Sequence, residues 1–228
     1  MRLCRMDTLW HFARGLQHDD LALALHPVLP SRVAGAKGNG MSDKIKAQPG
    51  VAEDAMIEEM IRVDHAGEYG AVRIYEGQLA VFKHLPHKRE MADALARMAK
   101  DEGVHLARFN KIVNERGVRP TALNPVWHVA GLALGAATAL LGEKAAHACT
   151  EAVETVIDEH YAAQVKRLDT LGEAERPLRD TIEQFRLEEL GHRDEAIEKG
   201  AKEAAAYPLL SGAIKAACRL AIKLSEKA

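Results

Sequence analysis

The spacing of apolar residues along this chain predicts a series of amphipathic helices. From residue 53 onward, apolar side chains recur every three or four positions, as they do on a helix with one buried face. The predicted helices cover residues 53–83, 88–115, 143–168 and 178–199, with breaks at Pro86, at 117–125 and at 171–177. No run of alternating β-branched residues indicates a strand, so we expect an all-α fold.

Two further helical segments differ from these four. Residues 126–142 are apolar apart from His128 and Thr138, which leaves three alternatives: a buried bundle helix, a membrane-interface helix or a membrane span. Residues 207–225 are amphipathic, with Lys215, Arg219 and Lys223 at four-residue intervals. This last helix would either cap the bundle or contact acidic lipid headgroups.

The first 50 residues have a different pattern from the rest. They contain three prolines, a glycine-bearing stretch from residue 35 to residue 40, and no sustained helical period. We therefore divide the chain into a poorly ordered extension, residues 1–50, and a helical domain, residues 51–228. Three explanations of the extension stay open: a transit-like peptide, a mis-assigned start with translation beginning at Met41, or plain disorder.

Composition narrows the classes of function. A chain of 228 residues, 47% of them hydrophobic, can bury one sizeable core and does not require two large domains. The formal net charge of −2 and the lack of a basic stripe predict no nucleic-acid partner. Cys4, Cys149 and Cys218 are isolated in the sequence, which argues against a disulfide framework and against a thiolate zinc site.

Two short motifs contain the candidate chemistry: DEGVH, ending at His105, and EELGH, ending at His192. In each motif a Glu precedes the His by three residues, which pairs Glu102 with His105 and Glu189 with His192. On an α-helix both side chains of such a pair lie on one face and can bind one metal ion. The pairing alone is weak evidence, because short motifs of common residues also arise by chance.

The residues upstream of each motif strengthen the prediction. Glu68 lies 34 residues before Glu102, Glu154 lies 35 residues before Glu189, and each upstream Glu is followed seven residues later by a Tyr. The chain thus consists of two similar halves, each with one Glu on a first helix and Glu-x-x-His on a second. Four Glu and two His from four facing helices are the ligand set of a bundle that binds two iron or manganese ions. Two divalent ions would also neutralise four carboxylates that otherwise repel one another.

Other polar residues close to these motifs are expected to support the metal ligands and not to bind metal themselves. Asp64 or Asp101 would accept a hydrogen bond from a ligand histidine and so orient it. The remaining candidates are secondary partners, tyrosines close to the metals, and solvent-facing or outer carboxylates: His65, His160, Tyr75, Tyr161, Glu58, Glu59, Glu151 and Glu188.

Four segments resemble the demethoxyubiquinone hydroxylase family of ubiquinone biosynthesis: RVDHAGEYGAVRIYEGQ, KDEGVHLARFN, RPTALNPVWHVAGLALGAATALLGEKAAHACTEAVE and FRLEELGHRDEAIEKGA. The resemblance extends from residue 56 to residue 225. It implies a ferritin-like four-helix bundle built from two helical hairpins, with extra apolar and amphipathic helices for membrane contact. By position, the family's six metal ligands fall on the residues that spacing also selects: Glu68, Glu102, His105, Glu154, Glu189 and His192.

The resemblance also implies an activity. We expect a di-iron monooxygenase that uses O₂ to convert 3-demethoxyubiquinol to 3-demethylubiquinol, with electrons from NAD(P)H or from the quinol itself. His160 and Tyr161 lie in a segment resembling one that is implicated in the family's redox chemistry. The expected quinone entrance and membrane contact lie on the 126–141 helix, at Trp127, Leu132, Leu134 and Leu140.

The same resemblance implies a location and partners. We expect a polyprenyl quinol substrate and peripheral association with the cytoplasmic side of the bacterial inner membrane. The alternative is the matrix side of the mitochondrial inner membrane. Other ubiquinone-biosynthesis proteins are candidate partners.

Two other classes of function stay open at this point. A ferritin-like protein could store iron or scavenge peroxide. The chain lacks the C-x-x-C module expected of a rubrerythrin-type peroxidase, and its apolar segment does not suit a soluble storage shell. In a different class, a metal-free helical scaffold could bind membrane lipids, and Glu68 and Glu154 would then have no functional role.

Overall fold

The computed structural model describes residues 49–228, which form six α-helices. In chain order they are α1 Pro49–Phe82, α2 Arg89–Arg116, α3 Asn124–Leu140, α4 Glu143–Leu168, α5 Arg176–Glu198 and α6 Tyr207–Lys227. These residues contain no β-strand, which confirms the all-α prediction. The predicted extension lies outside the described residues, except for positions 49 and 50, which begin α1.

Two helical hairpins form the four-helix bundle, as the sequence predicts. α1 packs on α2 across the turn that contains Pro86, and α4 packs on α5 across residues 169–175. α2 ends at Arg116 and is capped by Gly117, whose left-handed φ of 65° lets its N–H reach the carbonyls at the end of the helix. Glycine adopts this conformation without the strain that a Cβ would add. The predicted helix ends agree with the observed ones to within about one turn.

Two apolar layers fill the bundle on either side of its middle. One layer contains Ile61, Phe109 and Ile182, and the other contains Phe82 and Leu95. Along α1, α2 and α4 the buried glutamates fall between the residues of these two layers. The buried face of each helix is therefore apolar at both ends and acidic at mid-height, and this places the candidate site at the centre of the bundle.

α3 lies against α1 at a distance that only glycine permits. A Cβ added to Gly135 would lie 2.0 Å from the carbonyl oxygen of Ile74, and one added to Gly77 would lie 2.3 Å from that of Leu132. This close approach buries the face of α3 that contains Gly131, Gly135, Thr138 and Ala139. Within residues 49–228, no helix has both the length and the apolar character needed to cross a membrane.

α6 packs along α4 through a buried carboxylate. Glu151 is 5% exposed and accepts hydrogen bonds from Ser211 Oγ at 3.0 Å and from Lys215 Nζ at 2.9 Å. Farther along, Arg219 donates to Glu159 at 2.8 Å. Two of the three basic residues predicted on this helix are thus paired with α4, which favours the capping alternative over lipid contact for these two.

We expect Glu151→Ala to lower the free energy of unfolding by about 2 kcal/mol, because the Lys215 ammonium and the Ser211 hydroxyl lose their common acceptor. Glu159→Ala is the matched control on the same helix pair. It removes an ion pair in which both side chains are about half exposed, so we expect a loss below about 0.5 kcal/mol. Chemical denaturation of both variants measures the difference, and equal losses would contradict the proposed anchoring role of Glu151.

Candidate metal centre

The six residues selected by spacing meet at the middle of the bundle. α1 provides Glu68, α4 provides Glu154, and α2 and α5 provide one Glu-x-x-His pair each. All six are buried, and the most exposed of them, His192, is 9% exposed. Their burial excludes the usual explanation of a helical Glu as a solvated surface residue.

The potential ligand atoms form two groups that share two glutamates. One group consists of Glu68, Glu102, His105 and Glu189, and the other of Glu102, Glu154, Glu189 and His192. Within each group, one atom from every residue lies within 4.8 Å of the others. Glu102 and Glu189 belong to both groups, so two ions held by these groups would share them as ligands.

Several ligand atoms have no hydrogen-bond partner although they are buried. They are Glu68 Oε2, both oxygens of Glu102, His105 Nδ1, Glu154 Oε2 and Glu189 Oε1. His105 Nδ1 lies only 2.8 Å from Glu189 Oε1, yet the two atoms lack hydrogen-bond geometry. Buried polar atoms without partners are unfavourable, and cations placed among them would remove the penalty. The donor set therefore fits two divalent ions.

The pKa values of these groups show how the acidic cluster is arranged without cations. Burial raises the pKa of Glu68, and burial with the nearby Glu189 charge raises the pKa values of Glu102 and Glu154 much further. Burial also opposes a charge on Glu189, but His105 and His192 outweigh it and lower its pKa to about 2. In the metal-free centre these three carboxyls therefore hold their protons to a higher pH than free glutamates do, and divalent ions compete with those protons.

We expect metal binding to stabilise the fold more strongly as the pH rises. Above pH 4.5 the unfolded chain releases carboxyl protons that folded, metal-free Glu68, Glu102 and Glu154 retain. The free energy of unfolding of the metal-free protein then falls with pH by about 1.4 kcal/mol per unit for each retained proton. In the loaded protein the ions replace these protons, so this loss is absent.

Thermal unfolding of manganese-loaded and chelator-treated protein between about pH 5.5 and pH 7.5 measures this effect. The depressed pKa of Glu189 acts only below pH 4.5, outside this range. Burial is outweighed by contacts with Glu189, which raise the pKa values of His105 and His192, so these two groups act in the same direction as the three carboxyls. Surface groups titrate alike in both samples and cancel in the comparison. A difference between the two unfolding midpoints that stays constant or shrinks with rising pH would contradict the prediction.

Two tyrosines link the halves of the chain at this centre. Tyr75 donates its hydroxyl hydrogen to Glu154 Oε1 at 2.8 Å, and Tyr161 donates to Glu68 Oε1. Each tyrosine therefore contacts the glutamate of the other half, not the one seven residues before it. In both cases the second carboxylate oxygen is buried without a hydrogen-bond partner. The spacing indicates that tyrosines are nearby, but only the fold shows this exchange.

Of the two carboxylates predicted beside a ligand histidine, Asp101 lies near one and Asp64 does not. Asp64 accepts a hydrogen bond from Gln164 at 2.8 Å and lies 3.4 Å from His160 Nε2, so it does not contact a proposed ligand histidine. His65 pairs with Asn110. Of the more distant carboxylates, Glu188 touches His105 and Asp101 lies 3.6 Å from His192, whereas Glu151 anchors α6.

An open apolar cavity of about 200 Å³ is lined by residues of α1, α3, α4 and α6. Gly67, which precedes Glu68, and Val153, which precedes Glu154, both line it. A molecule in this cavity would lie along the two helices that provide those glutamates. Most of the lining is apolar, and much of it is Gly or Ala: Val63, Ala66, Gly70, Ala71, Ile74, Ala130, Gly131, Val156, Ile157, Ala217, Ala221 and Ile222.

Of the four residues expected at a quinone entrance, two line the cavity and two do not. Trp127 and Leu134 line the cavity, and Trp127 Nε1 also donates to Ser225 Oγ on α6 at 3.1 Å. Leu132 instead meets α1 at Gly77, and Leu140 is 76% exposed at the end of α3. Apolar composition alone does not separate these positions, because they differ only in the direction that each faces on α3.

The chain is similar to a known protein family and to individual proteins of known name. The profile of the family described as "Ubiquinone biosynthesis protein COQ7" matches residues 55–225. The 3-demethoxyubiquinol 3-hydroxylase of Rhodospirillum rubrum is 54% identical over 81% of this chain and 84% of its own length. Proteins named NADPH-dependent 3-demethoxyubiquinone 3-hydroxylase, mitochondrial, are 47% identical in Dictyostelium discoideum, over 75% and 77% of the two chains, and 47% identical in Rattus norvegicus, over 76% and 78%.

Proposed function

This chain belongs to the COQ7 family of ubiquinone biosynthesis proteins, and we propose that it hydroxylates the ring of 3-demethoxyubiquinol at a two-metal centre. The observation that supports this best is the pair of ligand groups that share Glu102 and Glu189 beside an apolar cavity. Relatives with this activity in their names match most of the chain. An apolar cavity with a few polar groups at one side is the usual form of a site for a greasy substrate.

The proposed reaction replaces a ring C–H bond by C–OH. One atom of O₂ enters the hydroxyl and the other leaves as water, which requires two electrons and two protons from a reductant. Two iron ions bound by the six ligands would supply the site at which O₂ binds and is reduced. The same residues also suit manganese, so iron is part of the proposal.

The side chains of the protein orient these components. Tyr75 and Tyr161 each donate a hydrogen bond to one oxygen of a glutamate, which leaves the other oxygen available to a metal ion. The small residues on α1 would let a ring approach Glu68 closely, while the apolar wall excludes water. Since NADPH is named for relatives, a nicotinamide cofactor is our first choice of reductant, and the quinol itself is the alternative.

The surface outside the cavity suits a membrane. Large exposed apolar side chains lie on α3 and α6, two of the helices that line the cavity. They include Val129, which is 66% exposed, and Leu209, which is 76% exposed. A polyprenyl quinol could then pass from lipid into the cavity between α3 and α6. We propose peripheral association with the cytoplasmic side of a bacterial inner membrane. The alternative is the matrix side of the mitochondrial inner membrane. In either location, other ubiquinone-biosynthesis proteins are candidate partners.

We expect the double variant Val129→Glu/Leu220→Glu to bind phospholipid vesicles about tenfold more weakly, because each change places a charge where an apolar side chain would enter the interface. Val104→Glu/Leu187→Glu is the matched control. Those residues are 59% and 56% exposed, and they lie on α2 and α5, which do not border the cavity. Vesicle co-sedimentation measures binding, and equal losses in both double variants would contradict this membrane surface.

A quinone profile tests the function directly. A strain that lacks the gene should accumulate demethoxyubiquinone and regain ubiquinone when the wild-type chain is supplied. Normal ubiquinone in the deletion strain would overturn the assignment and revive the alternatives of iron storage, peroxide removal or a metal-free lipid-binding scaffold. The hydroxylase names of the relatives favour the first outcome.

A further inference from the structure

The outward nitrogens of the two proposed ligand histidines face carboxylates in a reciprocal pattern. His105 on α2 has its Nε2 2.6 Å from Glu188 Oε2 on α5. His192 on α5 has its Nε2 3.6 Å from Asp101 Oδ2 on α2. Each carboxylate directly precedes the Glu of its own helix's Glu-x-x-His motif. Each helix therefore presents a carboxylate to the histidine of the other helix.

Both histidines direct the opposite nitrogen at the cluster. His105 Nδ1 lies 2.8 Å from Glu189 Oε1, and His192 Nδ1 lies 3.2 Å from Glu102 Oε1. A metal ion binds the ring nitrogen that has no proton, so the proton of a neutral ligand histidine must be on Nε2. A carboxylate that accepts this Nε2–H favours the binding tautomer and restricts rotation of the ring.

We propose that Glu188 and Asp101 are positioning residues that fix the tautomer and orientation of the two ligand histidines. The inference rests on the proposed function, because it concerns histidines acting as metal ligands. The two contacts are unequal: 2.6 Å is the length of a strong charge-assisted hydrogen bond, whereas 3.6 Å is too long for one. Gln184 also holds Glu188, donating Nε2–H to its Oε1 at 2.9 Å. The metal position that includes His105 is therefore expected to bind its ion more tightly.

Variants of Glu188 test this role without unfolding the chain. The Glu188 side chain is 45% exposed, so its replacement leaves no buried cavity and should leave the metal-free protein folded. In Glu188→Ala we expect one of two bound ions to be held about 10- to 100-fold more weakly. We also expect the visible absorption spectrum of the cobalt-substituted protein to change. Glu188→Gln should restore most of the affinity and the spectrum, because its amide oxygen can still accept Nε2–H.

Variants of Asp101 test whether the two metal positions differ in affinity. Asp101→Ala is expected to have a smaller effect than Glu188→Ala, because the longer contact contributes less. Asp101→Glu adds one methylene, which can close the 3.6 Å gap, and should tighten binding of the second ion. Equilibrium dialysis with Mn²⁺ at fixed pH measures both affinities.

Glu195→Gln is the matched control. Glu195 on α5 accepts a hydrogen bond from Arg97 on α2 at 2.7 Å and contacts neither histidine. It therefore joins the same two helices without touching a ligand, and both ion affinities should be unchanged in the variant. Equal weakening in Glu195→Gln and Glu188→Ala would show that the carboxylates only hold the helices together, and the positioning role would be overturned.

The remaining outcomes separate this inference from the proposed function. Wild-type protein that binds two ions, with Glu188→Ala matching it in both affinities and in the cobalt spectrum, would overturn the positioning role alone. Wild-type protein that binds no ions would overturn the two-metal function and this inference together. Selective weakening in Glu188→Ala with recovery in Glu188→Gln would support both.

Discussion

Replacing Glu154 by glutamine is expected to remove one of two bound metal ions and to lower the rate of hydroxylation by more than about 100-fold. This loss exceeds the one usually seen when a residue that hydrogen-bonds to a metal ligand is replaced. Glu154 is 1% exposed and belongs only to the ligand group that contains His192. The amide is a weaker ligand and has no charge, yet it can still accept the hydrogen bond from Tyr75. Metal per chain after anaerobic loading with Fe²⁺ measures the first effect, and product formation measures the second.

Glu159→Gln on the same helix is the control for this variant. Its carboxylate is exposed and pairs with Arg219, so two ions and full activity are expected. The metal-free Glu154→Gln protein should be at least as stable as the wild type near neutral pH, because a buried carboxyl in an acidic cluster has been replaced by a neutral group. Two ions and wild-type activity in Glu154→Gln would show that this residue is not a ligand.

Gly135→Ala is expected to destabilise the fold by about 3 kcal/mol, at the upper end of what overpacking usually produces. The added Cβ would lie 2.0 Å from the carbonyl oxygen of Ile74, and a backbone oxygen cannot move aside without shifting α1. Because α3 and α1 both line the apolar cavity, the shift should also weaken substrate binding. Denaturant unfolding measures the first effect and the KM for a quinol analogue the second.

Gly212→Ala is the control for Gly135→Ala, and we expect it not to lower the stability of the fold. Gly212 lies within α6, and a Cβ there would meet no heavy atom within 4 Å. The variant should be as stable as the wild type or more stable by up to about 1 kcal/mol, since alanine is the better helix former. If Gly135→Ala and Gly212→Ala had the same effect, the close approach of α3 to α1 would be refuted as the cause.

The helices and the convergence of six side chains were predictable from the sequence for specific reasons. Apolar spacing reports which face of a helix is buried, and Pro86 and Gly117 mark the ends of α1 and α2. A Glu three residues before a His constrains both to one face, as in Glu102 and His105. The two similar halves then indicate which further glutamates face the same centre. That these residues bind metal stays a prediction.

Contacts between helices were harder to predict from the sequence, because they depend on how the helices are rotated and paired. The exchange of tyrosines between halves depends on α1 facing α4, which the seven-residue spacing does not encode. Glu188 looks like a solvent-facing or outer carboxylate in the sequence, yet it reaches His105 across the bundle. Asp64 was expected as a possible partner of a ligand histidine and instead contacts Gln164. In each case the neighbour comes from a helix distant in sequence.

Oxygen isotope labelling tests most directly whether this centre hydroxylates demethoxyubiquinol with O₂. The iron-loaded protein is supplied with a demethoxyubiquinol analogue, a reductant and ¹⁸O₂, and the product is analysed by mass spectrometry. We predict one ¹⁸O atom in the new ring hydroxyl, none from labelled water, and no labelled product with Glu154→Gln. A hydroxyl that takes its oxygen from water, or equal labelling with Glu154→Gln, would contradict oxygen chemistry at the two-metal centre.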